Sequence, residues 1–239
     1  PNKIFNVGNY SDYIELRHLL RKYKNYFFYE TTVGAGLPVI NTLNDLLISG
    51  DVIIKIEGVL SGTISYIFNT FNESNNFSDI VIEAMKKGYT EPDPRLDLNG
   101  LDIARKLLTL VRELGVKMEL NDVKINKLLP EECFNTSSVD SFLKKLKDYD
   151  SYFHSLYAKA KDDGKVLRYI ACYENEQASV DLKFVDKNSP FYSINGSENI
   201  ISFTTNRYYQ TPLVVRGPGA GAEVTSAGVL ADIIKTSKL

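Results

Sequence analysis

Thiol and imidazole side chains are scarce in this sequence. The two cysteines, Cys133 and Cys172, form no CxxC spacing, and neither histidine, His18 or His154, lies close to them in the chain. Zinc sites and disulfide frameworks need several such residues at short spacings. The sequence therefore argues against both, and we expect two reduced thiols that serve packing.

The sequence also lacks a dominant charge and long apolar runs. Its 28 basic and 30 acidic residues are mixed along the chain, for a formal net charge of -2, which does not favour nucleic acid or anionic lipid as partners. No apolar run approaches the roughly 18 residues that a membrane span needs, and the first residues lack a signal pattern. We therefore expect a soluble, cytoplasmic protein with no nucleic-acid or membrane partner.

The composition is that of a globular protein, with 44% hydrophobic and 24% charged residues over a length of 239. Hydrophobic periodicity and turn residues predict the order of the helices and strands. The first predicted helix begins at Ser11, and further helices are predicted over 39–50, 64–71, 78–88, 100–114, 139–160 and 224–235. The predicted strands cover 26–30, 52–60, 166–173, 178–185, 200–205 and 212–216. This order favours an α/β or α+β fold with helices packed on a mixed or antiparallel sheet.

The densest polar cluster lies at residues 88–106. Pro92 and Pro94 hold its first part extended, so that its side chains are presented to solvent. Asp102 and Lys106 are four residues apart on the predicted helix that follows, which places them on one face, one turn apart. By spacing alone this pair is consistent with a surface ion pair that contributes about 0.3–0.5 kcal/mol.

The surroundings of the lysine favour a functional interpretation as well. Glu91, Asp93 and Asp97 lie on the loop that leads into the same helix. Several carboxylates around one lysine suggest a site for a cationic amino group, and a lysine can exchange a proton with a carbonyl or alcohol oxygen. The same carboxylates could instead bind a divalent cation through oxygen ligands.

Two glycine-rich stretches are candidate binding loops. Residues 217–222 follow a predicted strand and precede a helix, but the chain offers no second strand and acidic residue after them, so we reject a dinucleotide-binding start. The loop could still approach a cofactor edge, or it could be a tight packing turn. Residues 33–37, together with Glu30, could hold a cation through carbonyl oxygens, or form a plain turn between a strand and a helix.

Four segments of the sequence resemble homoserine dehydrogenases: residues 30–38, 58–63, 88–106 and 217–227. The most specific is 88–106, with Gly-Tyr-Thr-Glu-Pro-Asp-Pro-Arg followed by Asp-Leu-Asn-Gly-Leu-Asp-Ile-Ala-Arg-Lys. The resemblance implies reduction of aspartate semialdehyde to homoserine, a small-molecule substrate, with NADP or NAD. It implies that Lys106 is the general acid, that Glu91 and Asp102 bind the substrate ammonium group, and that Asp97 supports the lysine.

The resemblance also implies two further ligands. Gly88, Gly221 and Lys3 would lie near the nicotinamide. A monovalent cation, usually sodium, would be held by a carboxylate and three backbone positions, which are Glu30, Val33, Ala35 and Leu37. The sequence departs from the family pattern at Ile4, where a second lysine is usual, and at Leu96, where an acidic residue is usual.

The resemblance further predicts the division of the chain. Residues 1–28 would be a remnant of a nucleotide-binding domain with its connection, 29–216 a catalytic and dimerisation domain, and 217–239 a helix returning to the nucleotide-binding domain. The chain is most similar to the dehydrogenase part of bifunctional aspartokinase–homoserine dehydrogenases, and we expect a homodimer. Because the family's glycine-rich first strand and helix would precede Pro1, we expect the chain alone to be inactive. The alternative is a non-catalytic dimerisation module.

Overall fold

The protein is described by a computed structural model that covers residues 4–237, so Lys3 lies outside the described residues. The helices are α1 Ile4–Val7, α2 Tyr10–Lys22, α3 Val39–Ile48, α4 Gly62–Thr70, α5 Phe77–Lys86, α6 Arg95–Leu98, α7 Leu101–Glu113, α8 Glu131–Phe134, α9 Val139–Leu146, α10 Asp150–Asp162 and α11 Ala222–Thr236. The strands are β1 Ile53–Val59, β2 Lys124–Ile125, β3 Val166–Glu174, β4 Gln177–Val185, β5 Glu198–Thr205 and β6 Leu213–Pro218. No helix within this range is long and apolar enough to cross a membrane.

The six strands form one mixed sheet in the order β2-β4-β3-β1-β5-β6. All neighbouring strands are antiparallel except β2 and β4, which are parallel. The hairpin between β3 and β4 turns at Asn175 and Glu176, which both have positive φ, as a type I′ turn requires. The predicted mixed sheet with helices packed on it is confirmed.

Three helices, α4, α7 and α10, pack against the sheet and form the main core with it. The apolar positions of α7 recur every three or four residues, and its core side chains Ala104, Leu107, Leu108 and Val111 are fully buried. A smaller apolar cluster, which includes Ile170 of β3, lies outside the main core. Because α7 is fixed by this packing, the polar residues at its start have a defined position relative to the end of β1.

The structure corrects the strand predicted over residues 26–30. This segment forms no strand, although its aromatic composition is typical of one. Its rings stack on each other instead, with 5.1 Å between the centroids of Phe27 and Tyr29 and 6.1 Å between those of Tyr26 and Phe28. Strand propensity reflects packing against neighbouring strands, and the segment has no strand beside it.

Three details of the predicted helices were also wrong. Asn9, not Ser11, caps α2, because its side chain accepts the Ser11 N–H at 3.0 Å. Ser78 lies inside α5, where its hydroxyl donates to Asp150 at 2.8 Å. The helix predicted over 139–160 is divided into α9 and α10 by a 3₁₀ turn at residues 147–149. Local patterns predicted that these helices exist but not where they begin or break.

Candidate active site

A cleft of about 520 Å³ lies where three connections of the fold meet. These are the turn from β1 into α4, the loop from α5 through α6 to α7, and the turn from β6 into α11. The cleft is lined by Ser61, Gly62, Thr63, Gly88, Tyr89, Thr90, Glu91, Asp97, Asp102, Lys106, Ser197, Gly219, Ala220 and Gly221. Segments that are distant in sequence thus bring together the predicted lysine, three predicted carboxylates and two predicted cofactor glycines.

Lys106 is held in the cleft by two partners. Its Nζ donates to the carbonyl oxygen of Leu60 at 2.7 Å and lies 3.0 Å from Oδ2 of Asp102. The Lys106 side chain is only 14% exposed, whereas that of Asp102 is 38% exposed. An exposed ion pair would leave the lysine mobile. Here the stem is buried and the ammonium is fixed at the wall of the cleft, so the interpretation as a plain surface ion pair does not describe this pair.

Asp97 links the loop to the start of α4. Its Oδ2 accepts the backbone N–H of Glu91 at 2.9 Å, and its Oδ1 lies 3.0 Å from the hydroxyl of Thr63. Burial raises the pKa of the Asp97 carboxyl, and the charges of Glu91 and Asp102 raise it further. The carboxyl therefore holds a proton more readily than an exposed aspartate does.

Sequence reasoning from residue types missed Thr63 and the carbonyl of Leu60. The Thr63 hydroxyl donates to the carbonyl of Tyr89 as well as contacting Asp97, so it joins α4 to the loop. Ser61 caps α4 by accepting the Ile64 N–H at 3.2 Å. A serine just before an apolar helical stretch is a capping signal, which could have placed this helix start in the sequence. Nothing in the sequence pattern placed it beside Lys106.

Asp93 does not join the other carboxylates. It binds Arg95, with 2.6 Å between Oδ2 and the guanidinium, and it is absent from the lining of the cleft. Arg95 in turn donates to the carbonyl oxygen of Thr136 at 2.6 Å. This pair therefore anchors the loop to the segment after α8.

The glycines at the rim leave room for a flat ligand. Gly88 has a φ of +71°, and a Cβ built on it would meet nothing within 4 Å. Gly221 has a φ of +132°, a conformation that side chains rarely permit. Both line the cleft, as the predicted position beside a nicotinamide requires. These residues fit the edge of a planar cofactor, whereas Lys3 lies outside the described residues.

The predicted cation residues lie on a loop apart from the cleft. The carboxylate of Glu30 accepts two backbone N–H groups at the start of α3, from Ile40 at 2.7 Å and Asn41 at 2.9 Å. Burial raises the pKa of Glu30 despite these two hydrogen bonds. The charge of Lys235 lowers this pKa, and a bound cation would favour the ionised carboxylate in the same way.

The backbone of this loop turns sharply at Gly34 and Ala35, which have φ values of +78° and +55°. The turn therefore brings Val33, Ala35 and Leu37 close together along the backbone. Within residues 4–237 no group of three or more histidine, cysteine, aspartate or glutamate side chains could hold a metal ion. A site of one carboxylate and several carbonyls belongs to a different kind, which suits a hard cation.

A fixed lysine among carboxylates in a cleft is an arrangement that can bind a small polar ligand and exchange a proton with it. Comparison with known proteins identifies the class. The family model for homoserine dehydrogenase matches residues 38–234. The chain therefore belongs to the homoserine dehydrogenase family, as the resemblance indicated.

Individual relatives agree with this assignment. The chain is 48% identical over 237 residues to bifunctional aspartokinase/homoserine dehydrogenase 2, chloroplastic, of Zea mays. The aligned region covers 98% of this chain and 26% of that protein. It is 48% identical over 215 residues to homoserine dehydrogenase of Schizosaccharomyces pombe, covering 87% of this chain and 57% of that protein. The chain thus spans little more than half the length of the yeast relative and about a quarter of the maize protein.

A solved structure also resembles the chain. It is a mutant of a hyperthermophilic archaeal homoserine dehydrogenase in complex with NADPH, with a TM-score of 0.71 and 26% sequence identity. The likeness covers 95% of this chain and 60% of that one. The mixed sheet and its helices are therefore a fold that this family shares.

Proposed function

We propose that the chain is the catalytic and dimerisation region of an enzyme that reduces L-aspartate 4-semialdehyde to L-homoserine with NADPH or NADH, a step toward threonine, methionine and isoleucine. The observation that carries this proposal is the position of Lys106, fixed between the Leu60 carbonyl and Asp102 in a cleft lined by further carboxylates. The family assignment supports the same reaction.

The reduction converts a carbonyl into an alcohol, so the substrate oxygen must gain a proton. Lys106 would donate that proton from Nζ, which the Leu60 carbonyl and Asp102 aim into the cleft. Glu91 and Asp102 would bind the ammonium group of the substrate, because both line the cleft and can carry negative charge. Asp97 would support the lysine by holding the loop and α4 together.

The cofactor and the cation are assigned to other residues of the chain. Bound NADPH or NADH would supply the hydride, and Lys3, Gly88 and Gly221 would lie beside its nicotinamide. The NADPH complex of the archaeal relative supports a nicotinamide dinucleotide. Sodium would be held by Glu30 with the backbone of Val33, Ala35 and Leu37, for which the buried carboxylate is the support.

Turnover by Lys106 variants tests the proposal. The reaction would be followed by nicotinamide absorbance in this chain and in a version extended upstream of Pro1 to the length of its relatives. We expect Lys106→Ala to lower kcat by about 100-fold or more in the active version, the contribution of a general acid. The control is Lys127→Ala, since Lys127 forms an exposed pair with Glu131 at the same spacing and lies outside the cleft. Turnover of Lys106→Ala within a few-fold of the control would refute the assigned role.

A second candidate is a dimerisation module that binds no cofactor by itself. Leu230 and Ile233 of α11 are 55% and 59% exposed, an apolar surface that the first proposal assigns to the nucleotide-binding domain and this one to a second copy of the chain. Surfaces of this kind usually contact another protein surface. Sedimentation equilibrium showing a stable dimer, with no heat of NADPH binding by calorimetry, would support this function for the chain alone. Tight NADPH binding would exclude it. The homodimer and the cytoplasmic location remain predictions.

A further inference from the structure

An unpaired amide lies beneath the rim of the cleft. Asn199 on β5 is 0% exposed, and neither its Oδ1 nor its Nδ2 has a hydrogen-bond partner within residues 4–237. Buried side-chain amides are nearly always hydrogen-bonded, because an unpaired buried group loses its hydration without compensation. This asparagine therefore lacks, in the structure as it stands, the partners that its side chain requires.

The amide faces the backbone of Gly219. A Cβ built on Gly219 would lie within 3.0 Å of Cγ, Oδ1 and Nδ2 of Asn199, so only glycine allows this approach. Gly219 is also a lining residue of the cleft, as are Ala220 and Gly221 after it. The peptide groups of residues 219–221, called the glycine turn here, thus lie between the unpaired amide and the space that a ligand would enter.

The glycine turn contains two glycines, which restrict its backbone less than other residues would. It has no side chain at Gly219, and at Gly221 it uses a φ of +132°. Glycine passes between such conformations at little steric cost. The turn also leads directly into α11, whose N-cap Gly221 makes no side-chain capping bond. Within residues 4–237 neither Gly219 nor Ala220 takes part in a backbone hydrogen bond, so a rotation of the peptide between them would break none.

We propose that Asn199 is a positioning residue for cofactor binding: when a nicotinamide dinucleotide occupies the cleft, the peptide of Gly219 and Ala220 turns and pairs with the Asn199 amide. The amide then holds the glycine turn against the ligand. The inference rests on the proposed function, since it requires that the cleft accepts this cofactor. Each hydrogen bond formed only in the loaded state would tighten binding roughly two- to tenfold.

Thermal unfolding of Asn199→Leu and Asn199→Ala, with and without NADPH, tests this role in the version extended to the length of its relatives. Leucine has the same branched shape and number of side-chain heavy atoms as asparagine and needs no hydrogen bonds, but its methyl groups are bulkier than the amide. Without NADPH we expect Asn199→Leu to melt at a higher temperature than the wild type, because two unpaired buried groups are gone. With NADPH, both variants should show a smaller rise in melting temperature than the wild type. Asn199→Ala decides the result if leucine does not fit.

The control is Thr205→Val on the same strand. Thr205 is also 0% exposed, but its hydroxyl is paired with Asp51 at 2.7 Å. This variant should melt at a lower temperature without NADPH and keep the full NADPH-induced rise. Amide hydrogen exchange adds a readout that is independent of stability. NADPH should slow exchange at residues 219–221 in the wild type and not in Asn199→Leu.

The outcomes separate the two proposals. If NADPH fails to stabilise the wild type, the proposed function is wrong and the role of Asn199 fails with it. If NADPH stabilises the wild type and both Asn199 variants equally, only the role of Asn199 is overturned. A full NADPH-induced rise in Asn199→Ala would also overturn it, whatever the melting temperature of Asn199→Leu without NADPH.

Discussion

Replacing Asp97 by asparagine should make the protein more stable at neutral and alkaline pH. The reason is a shortage of protons at the contact between α4 and the loop. The hydroxyl of Thr63 has one proton but faces two acceptors, the carbonyl of Tyr89 and Oδ1 of Asp97 at 3.0 Å. When Asp97 is ionised, one of these contacts places oxygen against oxygen with no proton between them.

An asparagine at this position satisfies every partner. Its Oδ1 can accept the Glu91 N–H that now binds Asp97 at 2.9 Å, and its Nδ2 can donate to the Thr63 hydroxyl. The variant therefore gains one hydrogen bond, worth about 0.5–1.5 kcal/mol. For a chain of this size such a gain raises the melting temperature by about 2–4 °C per kcal/mol.

The gain should depend on pH with a defined sign. Burial, followed by the charges of Glu91 and Asp102, raises the pKa of Asp97 above its ordinary value of 3.8. A carboxyl with a raised pKa stabilises the folded state below its ordinary pKa and loses that contribution as the pH rises through the folded pKa. The variant and the wild type should therefore be similar near pH 4 and diverge as the pH rises.

Urea unfolding at about pH 4, 6 and 8 measures the difference. Asp93→Asn is a control on the same loop with the opposite sign, because Arg95 lowers the pKa of Asp93. That variant should lose stability relative to the wild type as the pH rises from acid, by less than about 1 kcal/mol since the pair is partly exposed. An Asp97→Asn protein that is less stable than the wild type at pH 8, or whose gain is the same at every pH, would refute the reasoning.

Two further predictions concern the cation loop and a buried arginine. Sodium should raise the melting temperature of the wild type more than choline does, and Glu30→Gln should abolish the difference. The substitution should also cost about 1 kcal/mol, because the two N–H groups of α3 bind different carboxylate oxygens and the glutamine NH2 would face one of them. An unchanged sodium response would exclude this site. Arg112→Met should lower the free energy of unfolding by about 2–4 kcal/mol in urea, since the carbonyls of Asn6 and Met118 lose their charged donor. A loss below about 1 kcal/mol would mean that water replaces the guanidinium.

The part of the site that lies on one helix was predictable from the sequence. The apolar repeat of α7 determines which face enters the core, and Asp102 and Lys106 are four residues apart on it. Helical geometry alone then places their charged groups one turn apart, and the structure has them at 3.0 Å. Gly100 and Gly115 at its two ends have positive φ, as expected of helix-bounding glycines. These relations depend on neighbours along the chain.

The rest of the site depends on contacts between distant segments. The Leu60 carbonyl that binds Lys106 is 46 residues away in sequence, and Thr63 is 34 residues from Asp97. A backbone carbonyl partner cannot be predicted from residue type, because every residue has a backbone carbonyl. The strand predicted from the aromatic residues 26–30 was wrong for the same reason, since propensity cannot tell whether a neighbouring strand exists.

The glycine-rich segments show why two interpretations of one pattern could not be separated. A glycine in a sequence indicates only that no side chain is present, and it does not indicate which atoms fill the space that a side chain would occupy. At Gly36 the space is filled by the backbone of Val224, so this glycine serves close packing of the loop on α11. At Gly88 the space is open and φ is +71°, so this glycine is required by the turn that ends α5, at a point that also lines the cleft. Gly219 does both, since Asn199 lies on one side and the cleft on the other. Packing and binding are therefore combined at this one residue, and a change to alanine there should disturb both.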